Sequence, residues 1–171
     1  YIPAQKGKTH VLHIIRELLS FEPNSKGTDM AQALQYFANA QKRHCTAFLI
    51  SDFIGAGAVD KPLLIASNRH EVNAIQIYDR REAELPNIGL VKFHDAESDK
   101  DLWIDTSLAT VRDDYAQAWK QNQDSLEQLF TRTGVNHISV RTDEDYVKAL
   151  LKIMLIHRHL CTTTDEQLPW N

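Results

Sequence analysis

A chain of 171 residues, 43% hydrophobic and 25% charged, has the size and mix of one soluble globular domain. Its 23 acidic and 19 basic residues are interspersed, giving a net charge of −4 without a block of like charge, which argues against a nucleic-acid partner. No apolar run approaches the ~20 residues that cross a bilayer, Tyr1-Ile2-Pro3 does not open a signal peptide, and Cys45 and Cys161 lack paired spacing, so a reducing, cytoplasmic setting is expected.

From Thr9, a candidate N-cap, Val11, Leu12, Ile14, Ile15, Leu18 and Leu19 recur at helical spacing up to the breaker Pro23. After a polar loop, Thr28 is placed to cap a second helix with Met30, Ala33, Leu34 and Phe37 on one face. Thr46 to Ile50 is short and continuously apolar, as in a parallel strand covered on both faces, and Ser51-Asp52 falls at its C-terminal end. Gly55 and Gly57 break the pattern before a helix with Pro62 in its first turn, and Val72 to Tyr78 has the β-branched content of a second strand. Leu90 to Phe93 and Leu102 to Ile104 flank a polar run and predict an inserted β-hairpin.

A long helix follows, with Val111, Tyr115, Ala118, Trp119, Asn122, Leu126, Leu129 and Phe130 on one stripe and Gly134 as its stop. The stripe reads as core. Val135 to Val140 predicts a third strand, and Thr142 can cap a last helix with Val147, Leu150, Leu151, Met154 and Leu155 facing inward; residues 161–171 form a tail. Helices alternating with short apolar strands predict an α/β fold, a mainly parallel sheet with helices on both faces. Ligands collect beyond the C-terminal ends of such strands, which singles out Asp52, Asp79 and Thr142.

Gly7-Lys8-Thr9 copies the end of a phosphate-binding loop, but no strand precedes it and the upstream glycine is missing. There is no GxSxG motif, and Cys45 reads as a small packed thiol. His157-x-His159-x-Cys161 would gather ligands only if extended, whereas the preceding pattern is helical. Arg80 and Arg81 after the second strand are an anion or partner patch, or simply solvated charge. A hydroxyl from Thr28 and a carboxylate from Asp52 can meet at the strand ends and offer the oxygen donors that Mg²⁺ takes, although Thr28 also suits a cap and Asp52 a turn.

Gly27-Thr28-Asp29-Met30-Ala31-Gln32-Ala33-Leu34 and Phe48-Leu49-Ile50-Ser51-Asp52-Phe53 resemble the second and third metal-site segments of von Willebrand factor A domains. Tyr78-Asp79-Arg80-Arg81-Glu82 with Leu85-Pro86, and Arg141-Thr142-Asp143-Glu144-Asp145-Tyr146, resemble a bacterial branch of that fold, the MoxR-associated family called domain of unknown function fifty-eight. The resemblance implies a Rossmann-like fold and a metal-ion-dependent adhesion site in which Thr28 supplies a hydroxyl and Asp52 a carboxylate to Mg²⁺. Asp29, Ser51, Asp79, Arg80 and Arg81 would border the partner surface.

The Asp-x-Ser-x-Ser loop of such sites does not occur in the chain, so residues 1–160 read as a partial domain without its first strand and metal-site loop. The sheet edge and helix faces left bare by that lack predict poor solubility or self-association. The implied function is a non-enzymatic protein-interaction module, Mg²⁺-dependent in its complete form, with a MoxR-type AAA+ ATPase as associate. The alternative is a metal-dependent hydrolase using Asp52 and Asp79 as ligands or bases.

Overall fold

The computed structural model describes residues 1–3, 5–22, 27–55, 58–95, 100–151 and 153. In chain order its elements are α1 (Lys8–Ser20), α2 (Met30–Ala40), β1 (Thr46–Ser51), α3 (Asp60–Ser67), β2 (Glu71–Tyr78), α4 (Arg80–Ala83), β3 (Leu90–Asp95), β4 (Lys100–Asp105), α5 (Ala109–Thr133) and β5 (Asn136–Arg141), followed by helical residues 146–151. A parallel sheet in the order β1-β2-β5 carries the fold, and β3 and β4 form a separate antiparallel hairpin. This is the mixed α/β, Rossmann-like architecture expected, with the hairpin inserted between β2 and α5.

Side chains alternate across a strand, so each sheet face can be read from the register. On one face Leu49, Val72 and Ala74 pack with Met30 and Leu34 of α2, Leu63 and Ala66 of α3, and Leu126, Leu129 and Phe130 of α5. On the other face Ile75, Ile138 and Val140 pack under Ala149 and Ile153. The central strand β2 is buried over most of its length because it has neighbours on both sides and helices above and below.

Several expectations need correction. β1 is an edge strand with one bare face: Phe48 is 51% and Ile50 60% exposed, so its apolar run does not report cover on both faces. The apolar stripe of α1 also stays in solvent, with no buried residue in that helix and Leu18 and Leu19 at 73% and 84% exposure. In α5 burial is confined to the C-terminal third; Tyr115 and Trp119 are half-buried and Ala118 is exposed. In the last helix Val147, Leu150 and Leu151 point outward, and the smaller Ala149 meets the sheet instead.

The caps differ as well. Gly7, with φ of 106°, precedes α1 in place of Thr9. Asp29 rather than Thr28 caps α2, its Oδ1 accepting from the Gln32 N–H at 2.8 Å, where its negative charge also suits the helix N-terminus. Asp145 takes the same role before residue 146, accepting from the Val147 N–H at 3.0 Å, and leaves Thr142 for another partner. Gly134 does end α5, in the left-handed conformation at φ 66°. Pro23, Gly57, the hairpin tip 96–99, Met154, Leu155, the His157-x-His159-x-Cys161 motif and the tail 161–171 lie outside the described residues.

Candidate binding site at the strand ends

Because the three strands are parallel, Asp52, Asp79 and Thr142 leave the sheet at the same end. α2 returns the chain to the start of β1, so its N-terminus, with Thr28 and Asp29, begins at that end too.

The best-organised part is the junction of β2 and β5. Thr142 donates its hydroxyl to Asp79 Oδ2 at 3.0 Å and its N–H to the Tyr78 carbonyl at 3.0 Å, joining the two strand ends. Asp79 Oδ1 accepts from the Arg81 N–H at 2.8 Å, while the Asp79 N–H donates to Glu82 Oε1 at 3.0 Å. These reciprocal bonds form a capping box that fixes the single-turn helix α4 directly on the end of β2. The Arg81 N–H and then the Thr142 hydroxyl hold the Asp79 carboxyl below its ordinary value, against an opposing effect of burial that exceeds the small further lowering by the Arg81 charge.

Outside this junction lies a concavity of about 400 Å³ lined by Asp79, Arg80, Arg81, Glu84, Leu85, Pro86 and Asp143. Arg80 pairs with Glu84 at 3.5 Å, and Arg141 bridges Asp143 and Glu144. Helix α5 supports the rim from behind: the Tyr115 hydroxyl donates to the Arg81 carbonyl at 3.3 Å, and Trp119 packs at a tilt against Tyr78 with ring centroids 5.3 Å apart. Burial, and secondarily the charge of Glu82, pushes the Tyr115 hydroxyl above its usual range and keeps it a neutral donor.

At the end of β1, Asp52 Oδ1 accepts from the Ile54 N–H at 3.1 Å and Ser51 Oγ accepts from the Phe53 N–H at 3.0 Å, an Asx-type turn. Phe53 anchors it: the residue has φ of 58°, is 2% exposed, and sets its ring edge-on to Phe130 at 5.2 Å. Beneath the turn, buried Gln76 donates from Nε2 to the Asp52 carbonyl at 3.4 Å and accepts from Ser139 Oγ at 2.8 Å. This polar rung spans all three strands, and nothing in the sequence pattern pointed to it.

Thr28 and Asp29 are exposed, as is Asp52, and Asp29 is committed to capping. Among the described residues no hydrogen bond joins Thr28 to Asp52, and no three His, Cys, Asp or Glu side chains converge in a way that could hold a metal ion. One carboxylate with the Ser51 and Thr28 hydroxyls is fewer oxygens than Mg²⁺ takes. Of the residues singled out from sequence, the structure brings together Asp79, Arg80, Arg81 and Thr142, with Glu84 and Asp143 beside them.

The fold and the strand-end site define an α/β domain with a preformed polar pocket at the C-terminal edge of its sheet. The chain belongs to the family described as Protein of unknown function DUF58, whose sequence pattern matches residues 1–125. It is 31% identical over 161 residues to the uncharacterized protein Rv1480 of Mycobacterium tuberculosis and, equally, to the uncharacterized protein Mb1516 of Mycobacterium bovis. These matches cover 92% of this chain and 50% of each relative, so the chain spans about half the length of those curated relatives. The uncharacterized protein MAV169 of Mycobacterium avium is 30% identical, with 92% of this chain and 94% of the relative covered. No solved structure matches the chain. Among the described residues no helix is long and apolar enough to cross a membrane.

Proposed function

We propose that this chain is the C-terminal part of a von Willebrand factor A-like protein-interaction module, with residues 1–160 as the partial domain. The observation that carries this reading is the junction of Asp79 and Thr142 beside Arg80 and Arg81. There a rigid capping box presents Arg81, and Arg80 paired with Glu84, at the rim of a pocket that also carries Asp79 and Asp143, a mixed-charge rim suited to directional polar contacts with a protein partner. A MoxR-type AAA+ ATPase is the proposed partner and the cytoplasm the proposed location.

In the complete form an acidic loop from outside these residues would join Asp52 and Thr28 to hold Mg²⁺, and the partner's carboxylate would depend on that ion. The state of Asp79 favours interaction over hydrolysis. Both its oxygens accept hydrogen bonds and its carboxyl is held acidic, which makes it a poor general base.

Two measurements test the reading. Titration calorimetry of Mg²⁺ and Mn²⁺ into this chain and into a version extended upstream, with Asp52→Ala as control, is expected to show binding only in the extended form and its loss in the variant. Biolayer interferometry against the MoxR-type ATPase is expected to show binding that chelation and the double variant Arg80→Ala/Arg81→Ala each abolish. Binding that survives both treatments, or no binding by the extended form, would refute the proposal.

A further inference from the structure

We infer that Cys45 is a thiol-exchange site: it takes an anionic low-molecular-weight disulfide into a mixed disulfide, with His70 accepting the thiol proton. The half-buried Cys45 sulfur lies 3.6 Å from Nδ1 of His70, a residue only 3% exposed. Cys45 immediately precedes β1 and His70 immediately precedes β2, and the register that sets Thr46 against Glu71 brings the two together. The Glu71 N–H donates to the Cys45 carbonyl at 3.0 Å and the Thr46 hydroxyl to Glu71 Oε2 at 3.1 Å, fixing that register at its first rung. Phe37 of α2 packs on the imidazole with ring centroids 4.8 Å apart, and Arg69 Nη1 donates to the Ala38 carbonyl at 3.4 Å. All of these groups come from residues 37–71, and the pair sits between β1 and β2 instead of on the outer edge of β1.

A thiol that only fills space is satisfied by apolar neighbours. An imidazole beside it is costly here, because His70 is out of water and its Nε2 has no hydrogen-bond partner among the described residues. What the ring supplies is Nδ1, an acceptor for the Cys45 hydrogen when Nε2 carries the ring hydrogen. A sulfur nucleophile with a base in reach is the arrangement that thiol chemistry uses. The surroundings select the co-reactant: exposed Lys42, Arg43 and Arg69 flank the pair in the chain, against the carboxylate of Glu71, which the Thr46 hydroxyl already engages. A net positive neighbourhood favours a disulfide that carries carboxylates.

In the exchange, the Cys45 proton passes to His70 Nδ1 as the Cys45 sulfur attacks one sulfur of the small disulfide. The bond between the two small-molecule sulfurs breaks and the Cys45 sulfur forms the new disulfide bond. The departing thiolate takes the proton from His70 and leaves as a thiol. Cys45 is oxidised, the small disulfide is reduced by the same two electrons, and His70 ends unchanged.

The experiment treats the full chain at neutral pH with oxidised glutathione, folded and in urea, and times mixed-disulfide formation on the Cys45 peptide by mass spectrometry. The folded chain is expected to react about tenfold faster or more, since an adjacent base contributes roughly 10²–10⁴-fold and partial burial takes some of that back. His70→Gln, with a circular dichroism spectrum like the parent's, should bring the folded rate down to the unfolded one or lower. Lys42→Glu/Arg43→Glu should slow oxidised glutathione several-fold while leaving neutral hydroxyethyl disulfide unchanged. A parent chain that reacts no faster folded than unfolded would overturn the proposal whatever the variants do. An acceleration that His70→Gln retains, or a charge reversal that does not distinguish the two disulfides, would overturn it as well.

Discussion

Replacing Phe53 separates two effects that usually reinforce each other. Its ring is 2% exposed and edge-on to Phe130, while its backbone has φ of 58°. Truncating a buried Phe to Ala costs about 3–5 kcal/mol, of which the aromatic pair accounts for roughly 0.5–1.5. Ala would retain the left-handed backbone penalty of about 1–2 kcal/mol, which Gly removes. Gly gives back roughly 0.5–1 kcal/mol through the greater freedom of its unfolded chain. Phe53→Gly should therefore be less destabilising than Phe53→Ala by roughly 0.5–1 kcal/mol, the reverse of the order at an ordinary strand or helix position. Urea unfolding followed by tryptophan fluorescence, with both variants at one protein concentration, measures the difference. An Ala variant as stable as the Gly variant, or more so, would refute the claim that the turn holding Asp52 is strained and pinned by the ring.

Two further outcomes follow from the strand-end network. The Asp79 carboxyl titrates below its ordinary 3.8 in the folded chain, so its contribution is present above that pH and lost as pH falls through the folded value. Asp79→Asn should thus lower the melting temperature at neutral pH, with the gap to the parent closing in acid; a gap independent of pH would contradict the assignment. Ser139→Ala removes the hydroxyl that satisfies buried Gln76 and should cost about 1–3 kcal/mol in chemical denaturation, whereas a neutral effect would show that the rung is not a stabilising link.

The strands and their order of appearance were legible because β1, β2 and β5 are short apolar runs separated by helical patterns, each placed within a residue of its observed limits. What periodicity cannot report is whether an apolar face has anything to cover it. The stripes of α1 and of residues 146–151 are as regular as those of α2, yet Leu12 and Leu151 are 65% and 54% exposed where Leu34 is 5%. Likewise β1 reads as an interior strand because its composition is that of one, while its position is decided by what lies beside it.

Caps were misplaced where two competent residues adjoin. Asp29 outcompetes Thr28, and Asp145 frees Thr142 to reach Asp79, 63 positions away in the chain. Asp79 and Thr142 were placed at one end of the sheet from sequence, but the bond between them follows from the β2–β5 register, as does the contact of Gln76 with Ser139. The expected meeting of Thr28 and Asp52 rested on their strand-end positions as well as on resemblance, and two oxygens are fewer than Mg²⁺ takes.

Helix α4 is too short to persist in isolation, yet it is clamped by Asp79 and Glu82 at its start and by the Tyr115 hydroxyl on the Arg81 carbonyl. Its arginines therefore ride on a backbone that has already lost its conformational freedom before any partner arrives. An encounter would immobilise side chains only, at roughly 0.5–1.5 kcal/mol each, without a folding step that delays capture. Complex formation at this rim would be governed by diffusion and not by local folding.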